Sequence, residues 1–118
     1  VNGQVNDLFY YYREQPALKA RQYQRALDDI VKAVELSPKD LTYRAEHAVV
    51  NLRVGRYEES MKILNEILKD EPKYGEAYRL LGLCQIQLKK TDEACGNFNK
   101  AKELGDPNVD ELIKKYCK

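Results

Sequence analysis

The chain has 118 residues, of which 43% are hydrophobic and 33% charged, enough apolar side chains to bury one continuous core. Lys+Arg 20 against Asp+Glu 19 leaves a formal charge of +1, so the chain has no basic field to attract phosphate backbones or anionic membranes, which argues against nucleic acid and membrane partners. Its apolar runs, such as the one around Leu80 to Leu83, fall far short of the roughly 18 residues a spanning helix needs, which predicts a soluble chain.

The first notable feature is the run Tyr10-Tyr11-Tyr12. Three consecutive helical residues spread over about 200° of circumference, so these rings cannot all face one core. They are expected to pack on a preceding segment or on the following helix, with an aromatic contact to a ligand as the functional alternative. Pro16 then interrupts the helical pattern, and a break there is preferred to a kink within one longer helix. A helix is predicted over Tyr23 to Leu36, closed by Ser37-Pro38, because proline cannot continue a helix and restricts the residue before it. A second helical pattern runs over Leu41 to Arg53, followed by the turn Val54-Gly55-Arg56-Tyr57 and a third pattern over Glu58 to Lys69 that ends before Pro72. Two more patterns follow, around Tyr78 to Gln87 and around Ala94 to Ala101. The tail Asp110 to Cys117, with Leu112, Ile113 and Tyr116 at helical spacing, reads as a short capping helix over residues 109–117.

These elements repeat. Sliding the sequence over itself by 34 residues takes Pro38 onto Pro72 and Tyr23 onto Tyr57. The same shift relates Ala26, Ser60 and Ala94, then Ile30, Leu64 and Phe98, then Ala33, Ile67 and Ala101. Small columns stay small, which lets paired helices approach closely, as Ala48 and Gly82 also do; large columns stay large and fill the space between pairs. In the third period Asp106 stands in the proline column, with Pro107 one residue late. The period divides the chain into an irregular unit over 7–40, units over 41–74 and 75–108, and the cap, all within one domain spanning 1–118.

With its pattern W-x₂-L-G-x₂-Y, then A-x₃-F, then P, the tetratricopeptide repeat is the family this sequence resembles. The third unit matches best, reading Tyr78-x₂-Leu81-Gly82-x₂-Gln85 and then Ala94-x₃-Phe98. The second carries Arg44, His47 and Ala48 at the opening positions and Ser60-x₃-Leu64 in its second helix. The resemblance covers roughly residues 7–106. It implies an all-α fold, a right-handed α-solenoid of antiparallel helix pairs, and a non-catalytic module that binds another protein or peptide without a cofactor.

The residues offer little to chemistry. His47 is the single histidine and is expected to be a half-buried structural residue, standing where the family places a leucine. Cys84, Cys95 and Cys117 match no zinc or redox spacing. Cys84 and Cys95 are expected to be free core thiols, and Cys117 an exposed one able to cross-link copies; on this reading the cysteines favour a reducing compartment, and hence the cytoplasm. The chain begins at Val1 rather than Met, so the missing leader signal says nothing about location. No phosphate loop, catalytic set or paired acids in an apolar setting is present, and Asp28-Asp29 and Glu58-Glu59 read as solvated faces and first-turn acids.

In the family, the first helices of successive units line a concave groove. Carried over here, the resemblance places Tyr11, Thr42, Ala45, Val49, Leu52 and Arg53 in that lining, with Glu76, Arg79, Leu83, Ile86 and Gln87 from the next unit. Val49 and Leu83 stand where family members that clamp chaperone C-terminal tails carry asparagine, which argues against such tails as partners. An apolar strip with Arg53 and Arg79 at its edges instead suits an amphipathic helix or extended peptide. The alternative is a purely structural role, a segment of a longer array that self-associates as a homo-oligomer through its ends.

Overall fold

The computed structural model describes residues 16–117, with side-chain detail from Gln22 onward. Among the described residues the chain folds into α-helices only: α1 (Pro16–Leu36), α2 (Leu41–Arg53), α3 (Tyr57–Asp70), α4 (Gly75–Gln87), α5 (Thr91–Glu103) and α6 (Asp110–Tyr116). Each packs on the next in sequence, and α2 also touches α4 directly. That is the arrangement of stacked helix pairs, in which one element of each pair lies beside its counterpart in the neighbour.

Local sequence accounts for the boundaries. Asp40 caps α2 by accepting the Tyr43 backbone N–H at 3.1 Å. Glu58 and Glu59 occupy the first turn of α3, and Asp92 and Glu93 that of α5, where carboxylates favour the positive end of the helix dipole. Gly55 ends the α2–α3 turn in the left-handed region at φ 90, a conformation that costs glycine nothing. At the same place between α4 and α5, Lys89 adopts φ 64, so the fold imposes this backbone even where the sequence supplies a side chain.

The core is built from the small and large columns of the period. Ile30, Leu64 and Phe98 are all essentially inaccessible to solvent, as are Ala48, Ser60 and Ala94. Ser60 donates its hydroxyl to the Ala48 carbonyl at 2.7 Å, tying α3 to α2 through two small residues. Gly82 lies so close to Phe98 that a Cβ there would fall 2.4 Å from the ring. Leu64, Ile67, Ala77, Leu80, Leu81 and Cys84 form the main cluster; Phe98, Ala101 and Val109 form a second one, on which Leu112, Ile113 and Tyr116 of α6 pack.

Two expectations need correction. The helix predicted from Tyr23 already runs at Pro16, the first described residue, because no residue between them resists helix formation; the chain before Pro16, on which a break or kink there depends, and the Tyr10-Tyr11-Tyr12 run lie outside the described residues. Cys95 is not a free core thiol: it forms an intrachain disulfide with Cys117, the two Cα atoms 5.7 Å apart, while Cys84 alone is free and buried. The pairing escaped the sequence because Cys95 and Cys117 are 22 residues apart and meet only when α6 folds back along α5. The inference of a reducing compartment, drawn from unpaired cysteines, loses its basis.

Candidate functional site

Of the residues expected to line a groove, Val49 and Leu52 on α2 and Leu83 and Ile86 on α4 are half-buried, each anchored on the core by part of its side chain and open to solvent on the rest. Because α2 and α4 touch, these residues fall on neighbouring first helices of successive pairs. Thr42 and Arg53 are exposed at the two ends of α2, and Gln87 at the end of α4. Ala45 is buried at 3% exposure, so it contributes shape and closeness of approach rather than a contact. Tyr11 lies outside the described residues.

Glu76, Arg79 and Gln87 are engaged within the chain. Arg79 donates through Nε to Asp106 at 3.0 Å and lies 3.8 Å from Glu76, with only 17% of its side chain exposed. The Asp106 side chain is almost completely buried and also accepts the Asn108 backbone N–H at 2.7 Å. The guanidinium expected to reach a partner's carboxylate is therefore already bound to one, and its loss would leave a buried charge unpaired. Glu76 accepts a hydrogen bond from the Tyr74 hydroxyl at 3.1 Å. Burial, then the adjacent Glu76 carboxylate, push the Tyr74 phenol up to about 12, so it stays a donor at physiological pH. Gln87 accepts from the Tyr57 hydroxyl at 3.4 Å, a link from α4 back to α3. Sequence reasoning missed Tyr74 and Asp106 as members of this network. The signal for Asp106 was its place in the proline column: here a carboxylate, not a proline ring, fixes the turn after the helix.

His47 is half-buried on α2, as expected, and burial lowers its pKa while the Glu59 carboxylate partly offsets the shift. Among the described residues no group of three His, Cys, Asp or Glu side chains is placed to hold a metal ion, and no helix is long and apolar enough to cross a membrane.

Stacked antiparallel helix pairs with an apolar strip across their first helices define an α-solenoid. The profile of the tetratricopeptide repeat matches residues 17–83 and 51–96, and the chain belongs to that family. It is 29% identical over 99 residues to small glutamine-rich tetratricopeptide repeat-containing protein 2 of Mycosarcoma maydis, covering 84% of this chain and 28% of that protein. It is 30% identical over 101 residues to heat shock protein STI1 of Saccharomyces cerevisiae, covering 82% of this chain and 17% of that one. The chain thus spans less than a third of the length of these relatives. Its fold superposes on the first tetratricopeptide repeat domain of Spaghetti (RPAP3), solved bound to the HSP90 peptide SRMEEVD, with TM-score 0.73 and 19% identity, covering 97% of this chain and 89% of that one.

Proposed function

We propose that this chain is a non-catalytic protein-binding module that takes a peptide or amphipathic helix of a partner protein along the face formed by α2 and α4. The observation that carries the reading is the strip Val49, Leu52, Leu83 and Ile86, apolar side chains held in place by the core yet partly open to solvent on adjoining helices. A ligand with apolar residues at i, i+3 and i+4 would bury the open parts of these side chains, at about 25 cal/mol for each Å² removed from water. Thr42, Arg53 and Gln87 at the helix ends supply polar contacts at the rim.

The structural relative bound to an HSP90 peptide supports peptide capture by this fold, while the lining here supports a different ligand. Val49 and Leu83 offer no hydrogen bond to a terminal carboxylate, and Arg79 is committed to Asp106. The test is selection of peptides from a displayed random library on the wild-type chain, with affinities then measured on Leu52→Glu, a half-buried position whose substitution is checked by circular dichroism. Peptides with spaced apolar residues that lose affinity on the folded variant support the groove; peptides that bind both forms equally move the site elsewhere. Sedimentation of the free chain over a concentration series addresses the assembly role, since a strictly monomeric species argues against association through the ends.

A further inference from the structure

The strip on α2 and α4 has a continuation on α6. The period of 34 residues takes Val49 to Leu83 and Leu83 to Cys117, and it takes Ala45 to Arg79 and Arg79 to Ile113. In the repeat, α6 therefore stands where α2 and α4 stand, as a third first helix. The packing follows the period. Leu83 and Ile86 of α4 lie against the cluster that Ala94, Phe98 and Ala101 of α5 form with Val109, and Ile113 and Cys117 lie against the same cluster. The Cys117 backbone N–H donates to the Ile113 carbonyl at 2.8 Å, so the two residues are one turn apart on one face. Both are half-buried, and each keeps part of its surface open to solvent.

What differs is how this row is held. Helices α2 and α4 have 13 residues each, whereas α6 has seven and the chain is already extended at Cys117. The turn that carries Leu52 and Ile86 thus has no counterpart among the described residues. Helix α2 touches α4 directly, but among the described elements α6 makes close backbone contact with α5 alone. None of its seven residues is fully buried, and a helix this short is unstable without tertiary support. One period before Cys95 and Cys117 stand Met61 and Leu83, two apolar side chains packed on the main cluster. At the interface with the shortest helix, a covalent bond between Cys95 and Cys117 takes the place of that apolar pair.

We infer that α6 supplies a third row of the peptide-binding strip and that the Cys95–Cys117 disulfide switches this row, an extension that rests on the groove reading above. With the bond intact, an apolar ligand that covers Leu83 runs on over Ile113. A dithiol reductant opens the bond by exchange: one thiolate attacks a sulfur and expels the other cysteine, and the second thiolate then displaces the mixed disulfide. The dithiol gives up two electrons and leaves as its own disulfide, while its two protons end on Cys95 and Cys117. Neither cysteine is fully buried, so the bond is within reach of a reductant. Loss of a constraint spanning 22 residues frees α6 from α5 and leaves a strip of two rows.

The experiment takes the tightest apolar-spaced peptide selected on the disulfide-bonded chain and measures its affinity for several forms of the protein. These are the disulfide-bonded wild type, the wild type reduced with dithiothreitol, the double variant Cys95→Ser, Cys117→Ser with and without dithiothreitol, and disulfide-bonded Ile113→Ser. Binding should be about tenfold weaker to the reduced and double-serine forms, with the latter indifferent to dithiothreitol. It should be about fivefold weaker to Ile113→Ser, in which the bond still holds α6 in place. In the peptide-free reduced chain, hydrogen exchange should quicken in α6 and stay slow in α2 and α4. Equal affinity for the bonded and reduced wild type, or for Ile113→Ser, overturns the third row and leaves the groove standing as long as Leu52→Glu still weakens binding. Equal affinity for Leu52→Glu overturns the groove and this extension together. Quickened exchange in α2 and α4 on reduction would make the bond a support of the whole chain and overturn its role as a switch.

Discussion

Two helical glycines offer a test in which one substitution has opposite signs at two sites. Gly82 on α4 and Gly96 on α5 each forgo about 1 kcal/mol of helix propensity relative to alanine. At Gly96 an added Cβ meets nothing within 4 Å, and the position is exposed. Gly96→Ala should therefore stabilise the chain by roughly 0.5–1 kcal/mol. At Gly82 the same Cβ would sit 2.4, 2.6 and 3.0 Å from three ring carbons of Phe98. Comfortable carbon contacts lie at about 3.5–4.0 Å, so the ring must retreat by about 1 Å. It has nowhere to go: Phe98 is completely buried, and the Tyr116 ring stacks with its centroid 6.4 Å away. Overpacking of this kind costs about 1–3 kcal/mol, which offsets the propensity gain of about 1 kcal/mol and leaves Gly82→Ala destabilised by up to about 2 kcal/mol. Urea unfolding should show the two midpoints moving in opposite directions with an unchanged slope, and the melting temperature moving by about 4 °C per kcal/mol. In a Phe98→Leu background the Gly82→Ala penalty should disappear, because the residue in its way has been shortened. If Gly82→Ala stabilises the chain as much as Gly96→Ala does, the close approach of α4 and α5 through this glycine is refuted.

Two further outcomes follow from single side chains. His47 has a folded-state pKa below its ordinary value of 6.5, chiefly through burial, so the unfolded chain binds its proton more readily. The stability this contributes is complete above pH 6.5 and declines as pH falls through that value toward the folded pKa. Urea midpoints measured from pH 8 to about 5 should fall in the wild type and flatten in His47→Leu; parallel slopes would show that the ring is solvated in the folded chain. Cys117→Ser opens a loop whose ends are 22 residues apart, which should lower stability by about 3 kcal/mol on chain-entropy grounds. Hydrogen exchange should then quicken first in α6, a seven-residue helix with no fully buried side chain; wild-type exchange there would place the cap's stability in its apolar contacts instead.

Much of this protein was legible in one dimension because its unit of structure is local. Each helix pair is set by contacts within one period, so the spacing of Ala26, Ser60 and Ala94 against Ile30, Leu64 and Phe98 was enough to mark which faces meet. The boundaries of α2 agree with the sequence reading to the residue, because Asp40 before it and Gly55 after it carry their own backbone preferences. Val49, Leu52, Leu83 and Ile86 recur at helical spacing on equivalent helices, and the fold leaves each of them half-buried.

What the sequence could not convey were relations between side chains far apart in the chain that depend on how one helix turns toward another. Arg79 looked like a free cation until Asp106, 27 residues on, proved to hold it at 3.0 Å. Cys95 and Cys117 looked unpaired until α6 folded along α5. Asn51 and Gln85 occupy equivalent positions and similar chemistry, and only the packing of the next helix shows the Gln85 oxygen satisfied by Asn97 and the Asn51 oxygen buried without a partner among the described residues. Sequence alone determined the repeating scaffold, since helix periodicity and turn residues act over a few positions. Tertiary structure decided which polar groups the scaffold consumes, since that depends on distances of a few ångströms between helices.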